Sequence, residues 1–243
     1  MVSRIRIGTS GWVYPHWKGR FYPDDLRADD RLEYYASRFD TVELNNSFYG
    51  LPKPAALKRW RETVPKGFLF AAKASRYITH RKKLHVERAS LTKFFRAVGS
   101  LEEKLGPILF QLPPHWGCDA ERLSSFLRKL PTGFRYTFEF RDPSWWNEEV
   151  YDLLRRHRAA WCIFDLAGKM CPVEVTADFV YVRLHGPASQ AYRGNYGLAV
   201  LRKWASRIEA WRKARKRVYV YFDNDEKAFA AADALRLKDL AIG

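Results

Sequence analysis

Ten side chains able to bind ligands or move protons stand at or near the ends of apolar runs: Glu43, Asn45, Lys73, Gln111, Glu139, Arg141, Asp165, Arg183, His185 and Asp223. Their types suit acid–base chemistry on an anion. Glu43 or Glu139 could serve as base and His185 as acid, because an imidazole titrates near neutrality. Arg141 and Arg183 would hold the anion through forked hydrogen bonds. Lys73 offers a second chemistry, as a Schiff-base nucleophile made reactive by desolvation and neighbouring cations. Glu43 paired with Glu139 also allows glycoside hydrolysis, where the separation of the two carboxyls decides the mechanism. On the acid–base reading, Glu43→Gln and His185→Ala abolish turnover and leave thermal stability nearly intact.

No cofactor is expected. Six histidines are present, and only His185 falls at a strand tip, with His80 in a nearby loop, which disfavours a cluster of zinc ions. A single Mg²⁺ or Mn²⁺ on Glu43, Glu139, Asp165 or Asp223 is the alternative, with Lys73, Arg141 and Arg183 competing for the same carboxylates. Loops supply further substrate-binding candidates. Trp12 belongs to an aromatic stretch, 9–23, in which Trp12, Tyr14, Trp17, Phe21 and Tyr22 alternate with Lys18 and Arg20. Such a stretch suits stacking on bases or sugars, or else forms a plug. His80 opens the basic group His80-Arg81-Lys82-Lys83, and Arg193 and Tyr196 lie in the 186–197 loop.

The elements that position these residues follow from period. Apolar runs at Ile5–Gly8, Thr41–Asn45, Leu69–Lys73, Ile108–Leu112, Tyr136–Arg141, Trp161–Asp165, Val180–His185 and Val218–Asp223 read as strands. Amphipathic stretches at roughly 29–38, 55–63, 86–103, 119–130, 147–157, 198–214 and 226–239 read as helices. Pro54, Asp119 and the trio Asp223-Asn224-Asp225 stand where three of them begin. Between the sixth and seventh strands the spacing is short and holds Pro172 and the strand-like Val173-Glu174-Val175, so a helix is missing or degenerate there.

Eight strands alternating with helices within one domain, 1–243, predict a (β/α)₈ TIM barrel. The competing open sheet wants a glycine fingerprint that Gly8-Thr9-Ser10-Gly11 lacks. Alternation along each strand then separates an apolar, helix-facing set such as Val42, Leu44, Val182 and Leu184 from a barrel-facing set that turns polar at the C-terminal end. In this fold that end carries the active site.

Lys and Arg number 43 against 27 Asp and Glu, a formal charge of +16. That favours an anionic small molecule or nucleic acid as partner. Eight of these basic residues crowd into 202–217 against Glu209 alone, towards the opposite end of the barrel from the strand tips. The apolar fraction of 47% excludes disorder, and no run is long enough to span a membrane. Cys118, Cys162 and Cys171 lack metal or disulfide spacing and suit a reducing cytoplasm. A strand begins too early for a signal peptide. A monomer or weak homo-oligomer is expected.

An ordered series of motifs carries a resemblance through the whole chain. They are Gly8-Thr9-Ser10-Gly11-Trp12, Trp17-Lys18-Gly19-Arg20-Phe21-Tyr22-Pro23, Val42-Glu43-Leu44-Asn45-Asn46-Ser47-Phe48-Tyr49, Lys73 with Thr79-His80, Gln111-Leu112-Pro113-Pro114, Glu139-Phe140-Arg141 with Trp145, and Val182-Arg183-Leu184-His185-Gly186. In these the chain resembles the YecE-like family, the DUF72 domain of unknown function. The resemblance implies a barrel, and by analogy of fold with endonuclease IV it raises DNA repair or hydrolysis as the alternative function. One departure is Asp223-Asn224-Asp225, where the family tends to carry a pair of asparagines.

Overall fold

The computed structural model describes residues 5–242. The stretch ahead of Ile5, on which the expectation about a signal peptide rests, lies outside them. The strands are β1 (Ile5–Thr9), β2 (Thr41–Leu44), β3 (Leu69–Lys73), β4 (Leu105–Gln111), β5 (Tyr136–Glu139), β6 (Ala160–Leu166), β7 (Lys169–Met170), β8 (Phe179–Leu184) and β9 (Arg217–Phe222). Eight of them run parallel in the order β1-β9-β8-β6-β5-β4-β3-β2, and β7 folds back antiparallel on β6. The surrounding helices are α1 (Arg31–Arg38), α2 (Asn46–Tyr49), α3 (Pro54–Thr63), α4 (Arg88–Val98), α5 (Ala120–Leu127), α6 (Glu148–Arg156), α7 (Leu198–Lys213) and α8 (Phe229–Ile242). The barrel expected from period is present.

Its seam lies between β1 and β2. Among the described residues a single parallel bridge, from Ser10 just past the end of β1 to Glu43 within β2, pairs the two backbones directly. A side chain stands in for the missing ladder: the Tyr35 hydroxyl accepts from the Thr9 amide at 3.0 Å and donates to the Thr41 carbonyl at 3.0 Å. The strands approach so closely here that a Cβ on Gly8 would lie 2.3 Å from the Thr41 oxygen, which is why glycine occupies the position.

Strand parity sorts the side chains as alternation predicts. Val42, Leu44, Phe138, Phe140, Val182, Leu184, Val220 and Phe222 join the core between strands and helices. A separate inner core holds Ala71, Leu109, Ala160, Cys162, Tyr181, Tyr219 and Tyr221. The small residues of that set leave volume for three tyrosines and, above them, for a buried arginine.

No helix joins β6 to β8. The chain instead makes a tight turn at Ala167 and Gly168, both at positive φ, then β7 and an irregular segment in which Val173-Glu174-Val175 forms no strand. Two local readings need correction. Asp223-Asn224-Asp225 does not cap the last helix, because its side chains are taken up by Arg183, His185, Trp17 and Asp233. The residues after β3 form a five-residue π-helix, Tyr77–Arg81, which period did not reveal. Asp119, by contrast, caps α5 by accepting from the Arg122 amide at 3.0 Å.

Candidate active site

Arg183, fully buried, stands at the axis of the barrel mouth and organises the carboxylates around it. Its Nε and Nη2 donate to Glu43 Oε2 and Oε1 at 3.0 and 2.8 Å. Nη1 donates to Glu139 Oε2 at 2.7 Å, and Nη2 reaches Asp223 Oδ2 at 3.2 Å. Glu43 also accepts from Ser10 Oγ and the Tyr181 hydroxyl, both at 2.6 Å. All its lone-pair directions are therefore taken. Glu139 accepts from Arg141 Nε at 2.7 Å on its other oxygen. Burial opposes the charge of Glu139, yet Arg183 and Arg141 hold its carboxyl well below the usual carboxylate range. A group so acidic is a poor general acid, as glycoside hydrolysis would require of one member of the pair.

His185 is equally enclosed. Its Nδ1 lies 3.1 Å from Asp223 Oδ2 and its Nε2 3.3 Å from Arg183 Nη1, with Tyr192 packed edge-on against its ring. Glu43 and His185 are fully buried inside this lattice, so Glu43→Gln and His185→Ala are expected to lower the melting temperature, which thermal unfolding of the two variants checks.

Beside the lattice opens a cavity of about 390 Å³ whose wall includes Trp12, Tyr14, Asn45, Phe48, Lys73, Tyr192 and Asp223. The volume suits a small metabolite. Three positions on this wall were legible as strand tips, Asn45, Lys73 and Asp223. Asp223 is a carboxylate that Arg183 and His185 hold in place, and despite burial they keep its pKa below the ordinary value.

Lys73 differs from every other charge at the mouth. It is 9% exposed, and among the described residues its ammonium makes no hydrogen bond or ion pair; the Phe48 ring lies 4.4 Å from Nζ, and Glu43, Glu139 and Asp223 act on it only through the field of their charges. Burial, and then the charge of Arg183, bring its pKa down to about 8. The π-helix sets His80 against the other side of this group, edge-on to Phe48 at 5.0 Å, with Nδ1 2.9 Å from the Thr79 hydroxyl. Burial first, then Lys73, Arg76 and Arg141, push His80 down to about 4, so it is neutral at pH 7.

The remaining candidates stand outside the cavity wall. Gln111 is buried and donates to the Leu112 carbonyl at 2.7 Å. Asp165 accepts at 3.3 Å from the hydroxyl of Tyr196, which is itself fully buried and accepts from the Gly186 amide. Arg193 is exposed, in a loop whose backbone approaches Gly186 so closely that a Cβ there would meet the Arg193 oxygen at 2.2 Å. That tight return brings Tyr192 over the mouth, where its hydroxyl accepts from Arg141 Nη1 at 3.2 Å.

Sequence reasoning missed Ser10, Phe48, Tyr181 and Tyr192 as site residues. Tyr181 shares its strand parity with Arg183 and was findable. Tyr192, in a loop at positive φ, carried no signal.

The aromatic stretch 9–23 is a plug. Trp17 and Tyr22 are buried, Trp12 packs edge-on to Trp60 at 5.0 Å, and none of the five rings is exposed. Arg81, Lys82 and Lys83 are solvated. Lys216 donates to the carbonyl of Ala177, just ahead of β8, which places the end of the basic run at the barrel's N-terminal face. Among the described residues no group of three or more His, Cys, Asp or Glu is arranged to hold a metal, and no helix is long and apolar enough to cross a membrane. The carboxylates considered for a divalent ion are engaged by arginines, Asp165 excepted.

Known proteins share this architecture. The chain is 34% identical over 155 residues to the UPF0759 protein YecE of Escherichia coli K12, a match covering 62% of this chain and 54% of that protein. The chain thus spans about half the length of that relative. It is 26% identical to the UPF0759 protein YunF of Bacillus subtilis, over 97% of this chain and 94% of that one. The crystal structure of a DUF72 family protein from Thermotoga maritima superposes with a TM-score of 0.89 at 28% identity, covering 98% of this chain and 99% of the other. One from Enterococcus faecalis gives 0.85 at 20% identity, covering 98% and 96%, which shows the shared fold. The model of the family described as "Protein of unknown function DUF72" matches residues 6–242, and the chain belongs to that family.

Proposed function

We propose that the chain is an enzyme that takes a small anionic substrate into the cavity at the barrel mouth and acts on it by acid–base chemistry, with Lys73 as the proton-carrying group. The observation that supports this is the unpartnered Lys73 ammonium on the cavity wall. Among the described residues the protein offers this ammonium no acceptor on the wall where it meets the cavity, and a carboxylate or phosphate entering there supplies charge-assisted acceptors. The same desolvation places Lys73 near the operating pH, where a base is most effective. Arg183 and Arg141 neutralise Glu43 and Glu139, and Arg183 serves as scaffold instead of gripping the substrate directly. The partner this favours is a small anion; the Trp, Tyr and Phe rings of the 9–23 stretch are turned inward, which gives a nucleic acid little to stack on.

The test is calorimetric binding of phosphate and of small carboxylates, followed by proton-exchange NMR in D₂O on the acids that bind. Because a lysine is cationic below its pKa, binding is expected to be strong at pH 6–7 and to weaken as pH rises through about 8. Lys73→Met should remove binding and exchange together. Binding that ignores both pH and that substitution would refute the reading.

A further inference from the structure

Several features of this cavity go unused in simple anion binding: a phenol on the same wall whose hydroxyl accepts from Arg141, a carboxylate held by Arg183 and His185, and aromatic walls. We propose that Lys73 is a covalent nucleophile and that the substrate is an oxo acid, a carbonyl compound carrying a carboxylate, held as an imine on Nζ. This rests on the anion-binding reading and specifies its chemistry.

The geometry supports each step. Lys73 lies against the face of Phe48, so its lone pair, once free, competes with no donor from the protein. Lys73 first gives up one proton, and the neutral amine attacks the carbonyl carbon: the C–N bond forms as the carbonyl π pair moves to oxygen, and one proton passes from the attacking nitrogen to that oxygen, giving a neutral carbinolamine. That hydroxyl then leaves as water with one further proton, and the nitrogen lone pair closes the C=N bond. Overall one ammonium and one carbonyl become one protonated imine and one water, with no oxidant or further reactant.

Tyr192 is placed to donate the proton that water departure needs. It shares the cavity wall with Lys73, and its hydroxyl accepts from Arg141, leaving its own hydrogen free to give. Asp223, fixed by Arg183 and His185, supplies a carboxylate on the same wall to balance the iminium charge. Trp12, Tyr14 and Phe48 limit water near the C=N bond, which opposes its hydrolysis. Burial also raises the neutral fraction of the amine, to about a tenth at pH 7 for a pKa of about 8, far above that of a solvated lysine.

The experiment treats the whole protein at pH 7 with glyoxylate or pyruvate and sodium borohydride, then maps the reduced adduct by peptide mass spectrometry. Lactate, which lacks the carbonyl, is titrated in parallel by calorimetry. The expected result is one adduct per chain on Lys73, formed at least about tenfold faster than on any exposed lysine, and suppressed by lactate. Tyr192→Phe should slow trapping about tenfold with lactate affinity retained, because it removes the proton donor and one hydrogen bond from Arg141 while leaving Lys73 in place. Lys73→Arg, checked for an unchanged melting temperature, should abolish the adduct. Labelling confined to exposed lysines while lactate still binds overturns the imine and leaves the anion site standing. Absence of both adduct and lactate binding overturns both.

Discussion

Lys73→Met is expected to yield a more stable protein that no longer binds small anions. A lysine whose pKa falls from the ordinary 10.4 to about 8 holds its proton less tightly in the folded state than in the unfolded one. The folded protein carries the full penalty below about pH 8, and stability recovers as pH rises from there towards 10.4. The displacement corresponds to about 3 kcal/mol, and lost contact with Phe48 returns about 1, so the variant should gain about 2 kcal/mol at pH 7. Methionine has nearly the length of lysine and packs readily on an aromatic ring. Urea unfolding at pH 7 and pH 10 checks the sign: the gain should be present at the first and nearly gone at the second. A residue that costs stability where it stands is a common mark of function, since structure alone would favour its replacement.

The opposite outcome is expected at Arg183. Substitution by methionine leaves Glu43, Glu139 and Asp223 buried without their shared cation, which costs about 3–5 kcal/mol, a large part of the 5–15 kcal/mol that holds an ordinary domain together. The pH dependence should also invert. In the native protein Glu139 and Asp223 are more acidic than in the unfolded chain. Their contribution is therefore complete above about pH 4 and fades as pH falls below it. Without Arg183 the same carboxyls are raised, and the variant should gain stability as pH drops from 7 to 5. Adding Glu43→Gln should restore part of the loss. Denaturant titrations of Arg183→Met, Glu43→Gln and the double variant across that range read all of these effects, and additive losses would show that the buried lattice is not a unit.

Much of the site was legible because strand geometry is regular. Period two along β2, β5, β8 and β9 placed Glu43, Glu139, Arg183 and Asp223 on the inner face, and the barrel brought them together at one end. Alternation does not reveal which members of such a set satisfy one another. Glu43 and His185 read as acid and base from position alone, yet Glu43 is saturated by Arg183, Ser10 and Tyr181, and His185 is closed in by Asp223, Arg183 and Tyr192. Lys73, its chemistry raised second, is the group left unpaired. Loop residues escaped for another reason. Tyr192 reaches the mouth through a return at Gly186 that depends on a positive φ and a close backbone contact, which no periodicity encodes. The π-helix that carries His80 likewise depends on tertiary packing, and the aromatic stretch 9–23 turned inward because its rings found one another and the barrel rim.

If Lys73 is a desolvated amine facing the cavity without a protein acceptor, its own titration must show it. Cε-detected NMR of the isotope-labelled protein, with the signal assigned by its absence in Lys73→Arg, reads the protonation of that one group. A midpoint near 8 in the free protein, moving upward when phosphate is added, is the expected result. A midpoint near the ordinary 10.4, unmoved by phosphate, would contradict it.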